Sequence, residues 1–202
     1  MIIDAILGIN NIVILLISFE IVIIVLKYKK MISNKMNTAL NQQIKIEGES
    51  SQIYLGMASW AETEGLNGIA DFLFDHADEE RLHMLKLVRY VNERGGHAMI
   101  PTLNGPENSY NSVRELFESF LAHEEGVTKQ IHGLVDLSMT ERDYSTHNFL
   151  QWYVAEQIEE EALARTILDK LRLIGDDKGG FYMFDRDLVN IKSSINAGTN
   201  LA

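Results

Sequence analysis

Apolar residues recur at steps of three and four along four long stretches of the chain, and this spacing predicts four amphipathic helices. The predicted helices run from about Asn34 to Glu62, Leu66 to Glu93, Ser109 to Asp136 and Glu141 to Leu173. A shorter fifth helix is predicted from Asp185, a residue type suited to helix N-caps, to about Ser194. Glycines stand where helices are expected to stop, at Gly65, Gly95, Gly96 and Gly175. The predicted fold class is therefore all-α.

The lengths of the connections predict how the helices are arranged. Helices one and two, and helices three and four, are joined by short loops, so each pair should form an antiparallel hairpin. The connection from Gly95 to Asn108 is longer and carries both prolines of the chain. A helix of about 28 residues is about 42 Å long, and a linker of about 14 residues reaches about 50 Å. We therefore expect a four-helix bundle with one long crossover, in which helices two and three run parallel.

Glutamates interrupt the apolar seam near the middle of all four helices of the predicted bundle. The interruptions are Glu47 in helix one, Glu80 in helix two, Glu124 in helix three, and Glu156 and Glu160 in helix four, with His83 one turn after Glu80. A single glutamate on a helix is usually solvated, but four seams interrupted at one level indicate a shared cause. An ionised carboxylate is unstable in an apolar core, and a bound cation can hold several of them in one site.

The ligand types limit which metal this site could take. The chain has no cysteine, which excludes disulfides, thiolate zinc sites and iron–sulfur clusters. Carboxylates with one imidazole suit iron or manganese, while the spacing alone also leaves zinc open. The formal net charge of −11 argues against nucleic acid as a partner.

The first thirty residues differ from the rest of the chain. The segment from Ile2 to Leu26 is almost wholly apolar, is long enough to span a bilayer, and is followed by three lysines. Three interpretations remain open: a mis-assigned start with Met31 as the true initiator, a membrane anchor, or an export signal. We favour the first, and divide the chain into an apolar leader (1–30) and one domain (31–202).

Several motifs carry a resemblance to a known family. They are Glu47 with Ser50, Ser51 and Tyr54; the run HADEERLH from His76 to His83; Glu124; and the run NFLQWYVAEQIEEE from Asn148 to Glu161. With these motifs the chain resembles the bacterial non-haem ferritins over about Met31 to Lys192. The resemblance implies a ferritin-like di-iron domain in residues 31–202, with the four-helix bundle, the long crossover and the short fifth helix.

The resemblance also implies a set of iron ligands. Glu47, Glu80 and His83 match the residues that hold a first iron in this family. Glu124 and Glu160 match ligands of a second iron, and Glu80 would bridge the two ions. A third iron site is matched by Glu79, Glu156, Glu159 and Glu160.

Three further residues would support the chemistry. Gln157 would lie beside the iron pair and leave room for oxygen, while Tyr54 and Trp152 match aromatic residues that donate an electron when oxygen is reduced. Core packing is the alternative role for both aromatic residues. Helix four reads Gln157-x-x-Glu160 where haem-binding relatives have a second Glu-x-x-His, so no haem is expected.

The implied function is iron storage in the cytoplasm. The protein would oxidise Fe(II) with dioxygen or peroxide and deposit Fe(III) as a mineral inside a homo-oligomeric shell of 24 subunits. Membrane association is expected only if residues 1–30 are native, and apolar leaders on the outside of such a shell favour the start at Met31. The alternatives are a non-catalytic cage subunit, a membrane-tethered ferritin and a di-iron oxygenase acting on an organic substrate.

Overall fold

The structure, a computed structural model, describes the backbone of residues 31–199 and the side chains of residues 31–188. The described chain forms five helices: α1 (Asn34–Thr63), α2 (Asn67–Glu93), α3 (Val113–Thr140), α4 (Tyr144–Ile174) and α5 (Lys178–Thr199). The all-α prediction is confirmed. None of these five helices is long and apolar enough to cross a membrane. The predicted leader lies outside the described residues.

Short polar side chains mark where three of the helices begin. Ser33 accepts a hydrogen bond from the Met36 amide at the start of α1, and Ser112 accepts one from the Glu115 amide at the start of α3. Asp143 caps α4 in the same way. Each cap satisfies an amide that has no partner within its own helix.

The crossover between α2 and α3 runs along the outside of α1. Its residues meet α1 in the same order along both segments: Met99 at Asn41, Asn104 at Glu49 and Tyr110 at Trp60. The chain therefore returns to the end of the bundle where α2 began, and α3 starts parallel to α2. The predicted long crossover is confirmed.

The core is divided into two apolar clusters. One includes Met57, Phe72, Phe117 and Ile167, and the other includes Met36, Leu87, Ile131 and Leu150. The mid-helix glutamates lie between these clusters along every helix of the bundle. The polar layer is thus enclosed above and below by apolar packing.

The fifth helix begins earlier than predicted. It starts at Lys178, where Asp177 accepts a hydrogen bond from the Gly179 amide, so Asp185 is not its N-cap. Asp185 lies inside α5 and accepts a hydrogen bond from the Ile69 amide of α2 at 2.9 Å. Asp185 therefore satisfies an amide in the first turn of α2, 116 residues away in the sequence, rather than one of its own helix.

Other boundaries and seam positions also differ from the prediction. Helix α3 begins at Val113 rather than near Ser109, because the residues before Ser112 lie in the crossover. Along α4, Glu156 is half-buried rather than fully buried, and Gln157 takes the buried position beside it. Phe149 is likewise half-buried, next to the buried Leu150.

Candidate metal centre

Each helix of the four-helix bundle places at least one glutamate in the polar layer between the two apolar clusters. The exposed fractions are 1% for Glu47, 4% for Glu80, 1% for Glu124 and 6% for Glu160, with 6% for His83. Among the described side chains, no lysine or arginine is buried. Among the described residues, the layer therefore holds carboxylates without a buried lysine or arginine to balance their charge.

Glu47, Glu80 and His83 form the first half of the centre. His83 Nδ1 lies 3.4 Å from Glu80 Oε2 and 4.0 Å from Glu47 Oε2. One ligand atom from each residue lies within 4.8 Å of the others, which is close enough to hold one metal ion. Glu80 and His83 share a face of α2 because they are three residues apart. Gln43 donates a hydrogen bond to Glu47 Oε1 at 2.8 Å and orients that carboxylate.

Glu124 lies across the bundle on α3 and is held by two neutral donors. The Tyr54 hydroxyl donates a hydrogen bond to Glu124 Oε1, and the Gln157 amide donates one to Glu124 Oε2 at 2.9 Å. The structure thus brings Tyr54 and Gln157 to the same carboxylate, next to the glutamates of the first half. In the structure, Tyr54 and Gln157 both act by holding the Glu124 carboxylate with a hydrogen bond.

His76 is a candidate ligand that the sequence analysis did not assign. Its Nδ1 lies 2.9 Å from the Phe72 carbonyl oxygen and its Nε2 lies 3.2 Å from Glu160 Oε2. When Nδ1 donates to the carbonyl, the lone pair of a neutral ring points from Nε2 towards the carboxylate, an arrangement common in metal-binding histidines. His76, Glu79 and Glu160 together could hold a second ion. The sequence feature that points to His76 is its distance from Glu80. His76 lies four residues before Glu80 and therefore on the same helix face.

The three remaining glutamates predicted at a third site lie at the edge of the layer. Glu79, Glu156 and Glu159 are all half-buried. Burial raises the pKa of Glu156, and Glu159, Glu160 and Glu79 add to this effect by charge repulsion. Of these three, Glu79 joins a group with metal-ligand spacing, whereas Glu156 and Glu159 do not.

Burial and crowding disfavour the ionised form of the central carboxylates. Burial first, and then repulsion from Glu80, raises the pKa of Glu47 well above its usual range. Burial and the charge of Glu160 raise the pKa of Glu124 to about 8, although the Gln157 hydrogen bond acts in the other direction. A divalent cation would relieve both effects at once.

Aromatic side chains close the side of the centre nearest the second apolar cluster. The Trp152 ring meets the His83 ring edge-on at 5.0 Å between centroids. Tyr153 donates a hydrogen bond to the main-chain carbonyl of His83 at 2.8 Å. These contacts fix the position of His83 on α2 from the side of α4.

Comparison with known proteins shows the family of the chain. The family model of the ferritin-like domain matches residues 37–174, which include α2, α3, α4 and nearly all of α1. The chain belongs to the ferritin-like family. The resemblance predicted from the sequence motifs is confirmed.

The ferritin-like chain is similar to relatives along almost their whole length. It is 44% identical to the bacterial non-heme ferritin of Campylobacter jejuni over 164 residues, which are 81% of this chain and 98% of that protein. It is 41% identical to the bacterial non-heme ferritin of Escherichia coli over 158 residues, which are 78% of this chain and 96% of that protein.

A solved ferritin structure has the same fold. The open pore ferritin of the archaeon Archaeoglobus fulgidus superimposes with a TM-score of 0.77 and 45% sequence identity. The match covers 79% of this chain and 97% of that one. The ferritin-like bundle is therefore the fold of the chain, with carboxylate and histidine groups that could hold a metal.

Proposed function

We propose that this ferritin-like protein stores iron by oxidising Fe(II) with dioxygen at a di-iron centre and retaining Fe(III) in an oligomeric shell. The observation that carries the proposal is the buried group of Glu47, Glu80 and His83, with Glu124 and Glu160 in the same layer and no buried lysine or arginine among the described side chains. Family membership supports iron storage and iron oxidation in general terms.

The proposed ligand set follows the sequence motifs and adds one residue. Glu47, Glu80 and His83 would bind the first iron, and Glu124 and Glu160 the second, with Glu80 between them. His76 would supply a nitrogen ligand on the Glu160 side of the pair, where its Nε2 lies 3.2 Å from Glu160 Oε2. Glu79, Glu156 and Glu159 would attract iron at the edge of the site as it enters or leaves.

The chemistry needs two electrons for each dioxygen that is reduced to hydrogen peroxide. Two Fe(II) ions supply one electron each, and two protons complete the product. Anionic oxygen ligands favour Fe(III) over Fe(II), so the carboxylates drive the oxidation as well as binding the substrate. Gln157 is neutral, so it holds Glu124 in place without adding a further negative charge.

Family membership supports a proposed assembly and cellular location for the protein. We propose a homo-oligomer of 24 subunits that acts in the cytoplasm, with a third iron site at Glu79, Glu156, Glu159 and Glu160. Neither haem nor nucleic acid is expected as a partner. Residues 1–30 are proposed to lie outside the working domain.

The first test is aerobic oxidation of Fe(II) by the full chain and by the paired variant Glu80→Ala/His83→Ala. We expect the initial rate to fall roughly tenfold or more, because the variant lacks two of the three ligands of the first iron. The rate is followed by absorbance of the ferric product.

A paired variant of exposed residues, Glu118→Ala/His132→Ala on α3, removes the same side-chain types elsewhere and is expected to keep the parent rate. Size-exclusion mass is measured for all three proteins, so that loss of rate is compared only between equal assemblies. Equal rates in the parent and in Glu80→Ala/His83→Ala would contradict the di-iron centre. The protein would then be a cage whose mineral grows without a dedicated catalytic site.

A further inference from the structure

Three oxidisable aromatic side chains border the candidate centre, and each has a different neighbour. Tyr54 donates a hydrogen bond to the Glu124 carboxylate, and Tyr153 donates one to the main-chain carbonyl of His83. Trp152 meets His83 edge-on. All three therefore contact a proposed iron ligand.

Trp152 differs from both tyrosines because a cation covers its ring. The Lys86 ammonium lies 3.4 Å from the centroid of the Trp152 ring. Lys86 follows His83 by three residues on α2, so the same helix face that carries a proposed ligand also places this charge. Burial lowers the pKa of Lys86, but the Glu156 carboxylate acts in the opposite direction and favours the charged form.

A positive charge over an indole has opposite effects on its two redox states. It stabilises the neutral ring through the negative charge density of the π face. It destabilises the radical cation, because that state places a second positive charge beside the ammonium. The arrangement therefore makes the loss of an electron from Trp152 less favourable.

We propose that Lys86 protects Trp152 from one-electron oxidation, so that Trp152 keeps its packing role beside His83. The inference rests on the proposed iron oxidation for its biological meaning. A protein that oxidises iron repeatedly would otherwise lose Trp152 to irreversible oxidation products, and with it the edge contact that positions His83.

The test uses the metal-free full chain and photogenerated tris(bipyridine)ruthenium(III) as the one-electron oxidant. Oxidation at Trp152 is quantified by peptide mass spectrometry relative to Trp60, which packs against Tyr110 and serves as the internal standard. We expect the ratio of Trp152 oxidation to Trp60 oxidation to rise about fivefold in Lys86→Met. This substitution keeps an apolar stem and removes the charge. Lys86→Arg keeps the charge and should stay close to the parent ratio.

Acrylamide quenching of Trp152 fluorescence, measured for each protein in a Trp60→Phe background, corrects the ratio for changes in accessibility. An unchanged corrected ratio in Lys86→Met would overturn the proposal. An equal rise in Lys86→Met and Lys86→Arg would also overturn it, because packing rather than charge would then be the cause. Since no iron is present, the result is independent of whether the protein oxidises Fe(II).

Discussion

At the residue scale, the Glu124 carboxylate shows what burial and a neighbouring carboxylate do to an acidic group in this site. Its folded-state pKa is raised to about 8 from 4.5. Between these two pH values the unfolded chain releases a proton that the folded protein retains. The metal-free protein therefore loses stability as the pH rises through this window, and the loss is complete above it.

Replacement of Glu124 by glutamine should remove this pH dependence. We expect metal-free Glu124→Gln to be more stable than the parent at pH 8 and similar at pH 4.5, because the parent loses up to about 1.4 kcal/mol per pH unit in between. Thermal unfolding in the presence of a chelator at several pH values measures the difference. Glu125→Gln, an exposed neighbour on α3, is the matched control. If the thermal stabilities of Glu124→Gln and the parent changed in parallel with pH, Glu124 would not be the cause of the pH dependence.

The same carboxylate links iron binding to pH. Binding of Fe(II) by Glu124 must displace its proton wherever the pH lies below about 8. We expect Fe(II) affinity to rise with pH up to that value and then to level off, as measured by anaerobic calorimetry in two buffers of different ionisation enthalpy. Affinity independent of pH between 6 and 8, with no proton release, would exclude Glu124 as a ligand.

At the element scale, the docking of α5 on the start of α2 depends on close contact. Leu66, at the N-cap of α2, accepts no hydrogen bond through its side chain, and the Asp185 carboxylate of α5 accepts one from the Ile69 amide instead. At Gly68, a Cβ atom would lie 1.8 Å from the Asp185 carbonyl oxygen. Only glycine at this position lets the two helix backbones approach so closely.

Gly68→Ala should therefore displace α5. We expect a loss of several kcal/mol in unfolding free energy or a local detachment of the helix, since the contact is with backbone and cannot be relieved by a rotamer change. Hydrogen exchange of α5 amides and thermal unfolding measure the two outcomes. Gly133→Ala on α3, where a Cβ meets open space, is expected to be neutral or stabilising by about 0.5–1 kcal/mol. Equal behaviour of the two variants would contradict the close docking.

At the scale of the whole molecule, the ferritin-like match starts at residue 37, while α1 begins at Asn34. Met31 is tied to the end of α2, because its amide donates a hydrogen bond to the Arg94 carbonyl at 3.1 Å and its carbonyl accepts one from the Arg94 side chain at 2.9 Å. The residues that the proposed chemistry uses all lie between Glu47 and Glu160.

A protein that starts at Met31 should therefore assemble and oxidise Fe(II) at a rate within about twofold of the full chain, because the five helices contain the proposed site and its support. Light-scattering mass and initial oxidation rates measure this. Flotation with lipid vesicles compares membrane binding of the two proteins. A large drop in rate or assembly in the shorter protein would assign residues 1–30 to the working domain.

Sequence alone determined the features that depend on local chemistry. The helical period of apolar side chains predicted the bundle, and the interruptions at Glu47, Glu80 and Glu124 predicted the polar layer, because a carboxylate in an apolar seam needs a common partner. The linker length predicted the crossover. These features require only spacing along one helix or the reach of a chain.

Tertiary structure alone decided the contacts between residues that are distant in sequence. Asp185 has the chemistry of an N-cap, but only the fold brings it to the start of α2 rather than its own helix. His76 is a candidate ligand because the fold places Glu160 of α4 beside its Nε2. The charge of Lys86 can act on Trp152 because the fold places the ammonium over the Trp152 ring. In each case the partner lies on another helix, and the relative rotation of two packed helices is set by the whole core rather than by either local sequence.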